Sequence, residues 1–522
     1  MSSWADAADE EPHAQVVAPD PGFKESDPPP PGFSASDEGA HNPSLIEAQA
    51  GSGSGSGSAA GAGVEDGVDK PDIALKSEGL QEEEGEEVQA EVRGDAESIY
   101  KAAETFEDLG LSKELLEGLY SGMKFQAPSK IQARTLPLIL SPPYSNIVAQ
   151  GHNGSGKTTC FTLSMLSRVD VGENCPQALC ICPTRELAMQ NYKVMLKMAQ
   201  YTSITSKFTA SEEYGGGGRG AGVEKAGASI NEQVIIGTPG TLKNWITSGR
   251  KPPLDVTNLK ILVFDEADQM LDANNFKDMS LRIIKAIEDK KNKAKGAPPL
   301  QILLFSATFS DVVKEFTSRV VGNDAHRIWL PASKLSLDVI KQYRVVCPRE
   351  EDKVDVLKER IFPLAERLGQ CIIFVRTRPA ARHLHNELAN EGHKCTSIHG
   401  DQSFQERDQV VKEFRDGTTK ILIATNVMAR GFDVSTVTLV VNYEPPTVNG
   451  DGQTPDPETY MHRIGRSGRF GRKGAAFNLV TEHTKQVDVL GAISGHFQRE
   501  VKDVPFDDDD AFEEVLKEAG LA

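Results

Sequence analysis

Residues 145–159, SNIVAQGHNGSGKTT, contain the signal that decides the fold of this chain. An apolar run at 147–149 leads into a glycine-rich turn, and an apolar helical pattern follows the turn. The turn matches the motif G-x-x-x-x-G-K-S/T through Gly151, Gly156, Lys157 and Thr158. Glycines at this spacing let backbone N–H groups converge on phosphate oxygens, and the following helix presents its positive end to the same anion. The stretch therefore predicts a nucleotide-binding strand, loop and helix.

The residues of this loop have distinct expected roles. Lys157 would reach the β- and γ-phosphates, and the hydroxyl of Thr158 would bind Mg²⁺. Gly151 and Gly156 would be the other nucleotide-binding positions of the motif. The alternative is a tight strand-to-helix turn with a solvated lysine. The strand before the loop and the helix after it favour the nucleotide site.

Charge is distributed unevenly along the 522 residues. The formal net charge is −19, and residues 1–100, with 23 acidic and four basic side chains, carry all of it. A neutral body with an acidic tail remains compatible with a nucleic-acid partner. Residues 1–95 are rich in proline, glycine, serine and acidic residues, so they cannot bury enough apolar surface to offset the entropy of ordering. We therefore predict a disordered acidic extension over 1–95.

The seven cysteines are dispersed, and no two of them form a C-x-x-C pair. This usage suits a reducing compartment without a disulfide framework. No apolar run approaches the length of a membrane span, and no apolar segment typical of a signal peptide follows Met1. We expect a soluble protein of the cytoplasm, the nucleus or both.

Strand and helix patterns alternate in two series along the body of the chain. The first series, within 96–334, has nearly continuous apolar strands at 145–150, 179–184, 234–239, 261–266 and 302–308. The second series, within 335–522, lacks a P-loop and has strands at 371–377, 394–400, 420–426, 439–444 and 475–480. Apolar strands separated by helices are typical of parallel sheets covered on both faces. The fold class is therefore α/β, with two parallel-sheet domains and a site in the cleft between them.

Acidic and hydroxyl residues follow two strands of the first series, at the edge where open α/β sheets bind ligands. Asp265-Glu266-Ala267-Asp268 follows the strand ILVF, and Ser306-Ala307-Thr308 closes the next strand. Asp265 would hold Mg²⁺, and Glu266 would polarise the attacking water. Ser306 and Thr308 would hydrogen-bond the acidic cluster. The alternatives are a charged helix start and an ordinary capping pair.

Three further groups of residues are candidates for phosphate contacts. Residues 183–186, PTRE, and 238–240, TPG, each end a strand and open a helix, where helix capping is the alternative role. Arg466 and Arg469 are spaced by three and would reach a γ-phosphate as arginine fingers. The alternatives for the two arginines are a solvated basic face and a second anion site.

An aromatic and amide pattern precedes the P-loop, with Phe125 and Gln132 placed to stack on adenine and hydrogen-bond its edge. With this pattern included, eight stretches between 106 and 500 resemble, in order and spacing, the motifs of the DEAD-box RNA helicases. They are Phe106…Phe125…Pro128…Gln132, GHNGSGKT, PTRELA, TPG, DEAD, SAT, ATNVMARGFD and HRIGRSGR. The resemblance implies two RecA-like lobes that close on ATP and single-stranded RNA, with RNA-stimulated ATP hydrolysis and local strand separation.

The resemblance also implies the roles of individual residues. It makes Phe125 and Gln132 adenine contacts and Asp433 a ribose contact, and it assigns the metal site to Thr158 and Asp265. Further nucleotide-binding positions that it implies are Gly154, Ser155 and Thr159. The residues implied in catalysis are Lys157, Asp265, Glu266, Ser306, Thr308, Arg466 and Arg469. Contacts with the RNA backbone are implied for Thr184, Arg185, Thr238, Gly240, Thr377 and Thr425. Such contacts address phosphate and 2′-hydroxyl groups, so we expect sequence-tolerant binding.

Several stretches resemble one subfamily, the mRNA-export helicases that work at the cytoplasmic face of the nuclear pore. They are MKFQAPSKIQ, TNVMARGFDV, the insert at 441–460 and the C-terminal stretch at 496–520. This resemblance implies a cytoplasmic nucleoporin on the first lobe and an export activator that binds with inositol hexakisphosphate near the cleft. It also implies remodelling of mRNPs and a role in translation termination, and we expect a monomer.

The main rival to a helicase is an ATP-gated RNA clamp, a binding module that holds RNA while ATP persists and unwinds little. The same motifs serve both functions, and intact Glu266, Ser306 and Thr308 favour turnover. A DNA translocase is disfavoured, because the residues of the motifs resemble those of the RNA-specific family. Whether the acidic extension inhibits the protein or recruits a partner is left open by the sequence.

Overall fold

The structure is a computed structural model that describes residues 89–91, 102–151, 154–209, 229–249, 251–272, 276–329, 340–426, 434, 436–468 and 472–521. The predicted extension over 1–95 lies outside the described residues except for Gln89–Glu91, which form a short strand. Two predicted site residues, Asp433 and Arg469, also lie outside the described residues.

The first lobe is built on an eight-stranded sheet. Its strands are β1 Gln89–Glu91, β2 Ile147–Gln150, β3 Ala178–Ile181, β4 Ser206–Phe208, β5 Val234–Gly237, β6 Ile261–Phe264, β7 Gln301–Ser306 and β8 His326–Trp329. Their order across the sheet is β1-β8-β2-β7-β6-β3-β5-β4. Strands β2 to β8 run parallel, and β1 pairs antiparallel with β8 at the edge.

The second lobe repeats this design with a seven-stranded parallel sheet. Its strands are β9 Ile340–Cys347, β10 Gln370–Phe374, β11 Cys395–Ile398, β12 Ile421–Ala424, β13 Val437–Asn442, β14 Gly474–Thr481 and β15 Lys502–Val504. Their order is β11-β12-β10-β13-β14-β9-β15. The α/β class and the two parallel-sheet domains predicted from the sequence are therefore confirmed.

Helices connect the strands and cover the sheets. In the first lobe they are α1 Lys113–Glu117, α2 Lys130–Leu140, α3 Lys157–Ser167, α4 Arg185–Ala199, α5 Pro239–Thr247, α6 Ala267–Asp272, α7 Phe276–Lys293 and α8 Asp311–Val320. In the second they are α9 Asp352–Val356, α10 Phe362–Leu368, α11 Arg378–Asn390, α12 Phe404–Arg415, α13 Pro457–Ile464, α14 Lys485–Phe497 and α15 Asp509–Glu518. Within the described part of the chain, no helix is long and apolar enough to cross a membrane.

Each sheet has a hydrophobic core on both faces. Along β2, Ile147 and Ala149 join one cluster, whereas Val148 joins a second cluster on the other face. In the second lobe, Ile373 and Phe374 likewise belong to two different clusters. Successive side chains of a strand point to opposite faces, so a strand covered on both sides must be apolar throughout. This explains why the central strands were recognisable as continuous apolar runs.

Five strands at or next to the edges of the two sheets were not predicted from the sequence, namely β1, β4, β8, β9 and β15, whereas the edge strand β11 was. Strands β4 and β8 include polar residues that are only half-buried, and in β9 buried residues alternate with more exposed ones. These strands therefore lack the continuous apolar run that marks the central ones. Short edge strands are recognised by their pairing partners, which are distant in sequence.

The order of the strands places the predicted motifs side by side. Strands β2, β7 and β6 are neighbours and run parallel, so the segments that follow them leave the sheet at the same edge. Those segments are the P-loop, residues 306–308 and residues 265–268. The sheet topology therefore assembles one site from three segments.

Candidate nucleotide and RNA site between the lobes

The P-loop turns tightly between β2 and α3, and two of its glycines have backbone conformations that other residues rarely adopt. Gly154 and Gly156 have φ angles of 89° and 99°. A Cβ atom on Gly156 would lie 2.5 Å from Nε2 of Gln132. Because α3 begins directly after Gly156, its first N–H groups have no helical carbonyl partner and are available to an anion. The loop therefore has the conformation expected of a phosphate site.

The polar side chains of the loop are largely buried. Lys157 is 7% exposed, and its Nζ contacts the carbonyl oxygen of Gly151. Thr159 is buried, and Thr158 is half-buried. Ser155 is also buried, and its hydroxyl has no hydrogen-bond partner among the described residues. A buried hydroxyl without a partner is costly, so this atom fits a site completed by a ligand.

The side chain of Gln132 forms hydrogen bonds that join helix α2 to the P-loop. Its amide oxygen accepts a hydrogen bond from the backbone N–H of Ser129 at 3.0 Å, which closes a capping box at the start of α2. Its Nε2 donates to the carbonyl oxygen of Gly156 at 3.0 Å. The hydroxyl of Ser129 donates to the carbonyl oxygen of Ser155 at 2.8 Å. The amide predicted to read adenine therefore already ties α2 to the P-loop, and the adenine contact remains a prediction.

The two aromatic residues of the same pattern differ in their surroundings. Phe106 is fully buried, and its ring packs edge-on against Tyr120 with 6.0 Å between the centroids. Phe125 is half-buried and packs against the same core. Only Phe125 is thus placed to offer a face to a base, and Phe106 is a core residue.

Asp265 and Glu266 follow β6 and are 3% and 5% exposed. Asn191 donates to Oδ2 of Asp265 at 2.7 Å, and the backbone N–H of Glu266 donates to Oδ1 at 3.0 Å. Burial, helped by the charge of Glu266, raises the pKa of Asp265 to about 7, against the opposing effects of Asn191 and Lys157. The proximity of Lys157 brings the P-loop and the acidic pair into one site.

A magnesium–nucleotide complex fits these residues. Glu266 has a φ of 49°, and its Oε2 is buried without a hydrogen-bond partner in the described part of the chain. Among the described residues no cluster of three metal-ligating side chains occurs. Mg²⁺ is commonly held by one or two carboxylates together with substrate phosphates, so Asp265 beside the P-loop is a sufficient protein contribution. The free oxygen of Glu266 suits a water molecule.

Asp268 connects the acidic cluster to both lobes. Its Oδ2 accepts hydrogen bonds from Oγ1 of Thr308 at 2.8 Å and from the backbone N–H of Thr308 at 3.2 Å. Its own N–H donates to Oγ of Ser306 at 3.3 Å. From the second lobe, Nε2 of His462 lies 3.2 Å from the same Oδ2, and both side chains are fully buried. The predicted hydrogen bond between the hydroxyl pair and the acidic cluster is therefore present. His462 adds a contact with the same carboxylate from the second lobe.

One arginine in the last turn of α13, Arg463, was not predicted as a site residue. Arg463 is 1% exposed and donates to the side chains of Asn426 and Asn442 and to the carbonyl oxygen of Glu444. Burial lowers its pKa to about 10. Arg466 is 2% exposed, and its Nε donates to the carbonyl oxygen of His462 at 3.0 Å. The solvated basic face considered for this stretch is therefore wrong for Arg466.

The predicted RNA contacts lie at the starts of helices or at strand ends. The hydroxyls of Thr184 and Thr377 accept hydrogen bonds from Leu187 and Ala380, which are N-cap interactions. Helix capping, the alternative considered for PTRE, is thus one role of Thr184. Apart from Arg185, which is described below, three predicted positions make no such cap within the described residues: Thr238, Gly240 and Thr425.

Two of those three have features that suit a ligand. A Cβ atom on Gly240 would meet no atom within 4 Å, so the backbone there is open. Thr425 is 5% exposed, and its hydroxyl has no hydrogen-bond partner within the described residues. Contacts with RNA remain predictions for all of these positions.

Arg185, predicted to contact RNA, lies against the second lobe. Its two terminal nitrogens donate to the carboxylate of Asp408 at 2.5 and 2.9 Å. Next to this pair, Arg407 lies 2.9 Å from Glu186, with the charges reversed between the lobes. The N-terminus of α4 and helix α12 are therefore joined by two reciprocal ion pairs.

The sequence did not predict four residues that bond to partners distant in the sequence, namely Asn191, Asp408, His462 and Arg463. Asp268 and His462 were within recognised stretches, but nothing in the sequence indicated that they touch. The only available signal was an amide or charged residue within an otherwise helical pattern, which usually indicates a solvated face. Spacing along the chain carries no information about contacts between residues this far apart.

Residues 129–316 match the family model of the DEAD/DEAH box helicases, and residues 352–471 match that of the helicase conserved C-terminal domain. The DEAD-box ATP-dependent RNA helicase 38 of Arabidopsis thaliana is 47% identical over 454 residues, which is 87% of each chain. The chain belongs to the DEAD-box RNA helicases. As a member of this family it is an ATP-dependent RNA helicase and an ATPase.

Solved structures agree with this assignment. S. cerevisiae Dbp5 bound to RNA and ADP–BeF3 superposes with a TM-score of 0.71 and 42% identity, over 80% of this chain and all of that one. A variant of the same helicase bound to Nup159, Gle1, IP6 and ADP gives a TM-score of 0.55 and 40% identity, over 79% of this chain and all of that one. The DEAD-box relatives thus share both lobes of this chain.

Proposed function

We propose that this helicase is an RNA-stimulated ATPase that remodels mRNPs during mRNA export through the nuclear pore. The observation that carries the proposal is the carboxylate of Asp268, which is shared by Thr308 of the first lobe and His462 of the second. A single buried carboxylate thus contacts residues of both lobes. Such a shared contact would couple ATP turnover to closure of the lobes on RNA.

The P-loop and the acidic cluster divide the chemistry between them. Mg²⁺, when bound with ATP, would supply positive charge to the phosphates. Lys157 and the N-terminus of α3 would bind the phosphates, while Thr158 and Asp265 would hold the metal. Glu266 would orient the attacking water through its unpartnered Oε2, and Arg466 with Arg469 would stabilise charge on the γ-phosphate. Asp433 would contact ribose.

RNA would lie across both lobes and be bound through its backbone. The contacts we propose are Thr184, Arg185, Thr238, Gly240, Thr377 and Thr425. Hydroxyls and open backbone at helix N-termini bind phosphates without reading bases, so the protein would accept many sequences. Arg185 would have to share its guanidinium between RNA and Asp408.

The cellular setting follows from resemblance to Dbp5, whose solved complexes include Nup159, Gle1 and IP6. We propose that this chain acts as a monomer at the cytoplasmic face of the pore, with a nucleoporin on its first lobe. An inositol-hexakisphosphate-dependent activator would bind near the cleft. A further role in translation termination is part of the same proposal. Binding of the purified helicase to the two partners, tested separately by gel filtration, would check the assignment.

ATP hydrolysis measured with and without single-stranded RNA tests the activity. We expect strong stimulation by RNA and, for Glu266→Gln, a loss of turnover on the order of 100-fold with nucleotide binding retained. Arg344→Gln, which removes an ion pair with Asp503 inside the second lobe, serves as a control with normal turnover. Turnover that is independent of RNA, or unaffected by Glu266→Gln, would contradict the proposal.

A second candidate function, the ATP-gated clamp, is favoured by the two ion pairs between α4 and α12. Strong contacts between the lobes would hold RNA for as long as ATP persists. The release of one strand from a short RNA duplex, with ATP in excess over protein, separates the two functions. Repeated release indicates a helicase, and tight ATP-dependent binding without release indicates a clamp.

A further inference from the structure

Asn191 lies on α4, three residues beyond the PTRELA stretch, and its side chain is fully buried beneath the acidic cluster. Its Nδ2 donates to Oδ2 of Asp265 at 2.7 Å and to Sγ of Cys182 at 3.3 Å. The ionised form of Asp265, which is the form that would bind a metal, only accepts hydrogen bonds, so in that state the amide presents its NH2 group to Asp265. The contact with Asp265 therefore fixes the orientation of the amide.

Packing alone does not explain an asparagine at this position. The Oδ1 atom of Asn191 is buried and has no hydrogen-bond partner in the described part of the chain. An unpaired buried carbonyl oxygen destabilises the folded state, whereas a leucine of similar volume would fill the space without that cost. A residue that is costly for the fold and bonded to a functional carboxylate indicates a functional role.

Both oxygens of Asp265 are held by protein donors. Asn191 holds Oδ2, and the backbone N–H of Glu266 holds Oδ1. The last torsion of an aspartate side chain is broad and roughly two-fold, so one donor leaves the plane of the carboxylate free to rotate about it. Two donors on different oxygens define the plane. Of these two donors, only the amide of Asn191 can be removed by a side-chain substitution.

We propose that Asn191 is a positioning residue that holds the carboxylate of Asp265 in the orientation in which it binds the Mg²⁺ of the nucleotide complex. The inference rests on the proposed function, in which Asp265 binds that metal. Residues that orient a metal ligand commonly change metal affinity by on the order of 10- to 100-fold when they are replaced. Removing the amide should therefore weaken the response of nucleotide binding to Mg²⁺.

The test measures equilibrium binding of a fluorescent ADP analogue to the full chain, first in EDTA and then over a Mg²⁺ titration. Asn191→Leu removes the donor at similar volume. We expect its affinity in EDTA to equal that of the wild type, and its midpoint in Mg²⁺ to rise by on the order of 10-fold. If this variant does not fold, Asn191→Ser removes the same donor with a smaller side chain. Thermal unfolding of each variant reports whether the lobe is intact.

Two control variants separate this role from a disturbance of packing. Cys182→Ala removes the other acceptor of Nδ2 and leaves the bond to Asp265, so the midpoint in Mg²⁺ should not change. Asn146→Leu makes the same substitution elsewhere in the lobe, where Asn146 bonds Val321 and Ile302, and should lower stability without moving the midpoint.

Three results would overturn the inference. One is a Mg²⁺ midpoint for Asn191→Leu and Asn191→Ser equal to that of the wild type. Another is an equal loss of affinity in EDTA and in Mg²⁺, which would indicate general damage to the nucleotide site. A wild-type protein whose nucleotide affinity does not respond to Mg²⁺ would instead remove the metal role of Asp265, and with it this part of the proposed function.

Discussion

The substitution Asp408→Asn tests whether the contact between α4 and α12 controls closure of the two lobes on RNA. Asp408 receives two hydrogen bonds from Arg185, at 2.5 and 2.9 Å, and both bonds cross between the lobes. Asparagine keeps the size of the side chain and one acceptor but removes the negative charge. We expect weaker RNA binding in the presence of an ATP analogue and little change in its absence, because the pair forms only when the lobes meet.

The magnitude follows from the exposure of the two side chains. Hydrogen bonds to charged groups contribute about 1.5–3 kcal/mol, and solvent screening reduces this value at an exposed partner. The side chain of Asp408 is 52% exposed, whereas that of Arg185 is 9% exposed and would stay buried without its carboxylate partner. We therefore expect a loss of about 1–2 kcal/mol, which is roughly a 5- to 30-fold weaker RNA affinity.

The assay is fluorescence anisotropy of a labelled single-stranded RNA, with and without a non-hydrolysable ATP analogue. The matched control is Asp503→Asn, since Asp503 also receives two hydrogen bonds from one arginine, Arg344, but within the second lobe. Its side chain is 62% exposed, close to that of Asp408. Equal losses with and without nucleotide, or a loss for Asp503→Asn as large as for Asp408→Asn, would refute the reasoning.

Three further predictions concern groups within single lobes. Gln132→Ala should lower the stability of the nucleotide-free protein by about 1–3 kcal/mol, seen as a lower Tm, because Ser129 N–H loses its partner and the Gly156 carbonyl keeps only its bond from Cys160 N–H. An unchanged Tm would contradict a structural role of Gln132. Arg463→Lys should lower the free energy of unfolding by about 3 kcal/mol, again seen as a lower Tm, because a lysine cannot donate to Asn426, Asn442 and Glu444 together. A Tm equal to that of the wild type would show that one of these bonds suffices. The pKa of Asp265 is raised from 3.8 to about 7, so this group stabilises the nucleotide-free fold below about pH 4 and that contribution is lost as the pH rises through about 7. Asp265→Asn should therefore flatten the fall in Tm between pH 4 and 7, and a slope equal to that of the wild type would contradict the raised pKa.

Local features of the sequence determined much of the fold and of the nucleotide site. The conformation of Gly156 and the start of α3 follow from a short glycine-rich stretch after an apolar strand. The central strands follow from apolar runs that fill both faces of a sheet. Neighbouring residues were enough to place Lys157, Asp265 and Glu266 in the segments that follow those strands. The structure brings all three into one site.

The sequence was less informative about what each site residue touches. Gln132 was assigned to adenine, and the structure shows its amide bonded to the P-loop and to the cap of α2. Arg185 was assigned to RNA, and its guanidinium is bonded to Asp408. Phe106 was listed in the same motif as Phe125, and it is a core residue. In each case the type of residue was informative, but several partners could satisfy the same side chain.

Only the tertiary structure could pair Asn191 with Asp265, which are 74 residues apart, or Asp268 with His462, which are 194 residues apart. Local patterns were enough to predict two parallel-sheet lobes, a phosphate loop and an acidic cluster, because periodicity and backbone conformation depend on nearby residues. Which donor holds a carboxylate, and which side chains join the lobes, depends on how strands and helices pack in space. A buried polar group is satisfied by whatever neighbour the fold brings within about 3 Å, and separation along the chain does not encode that distance.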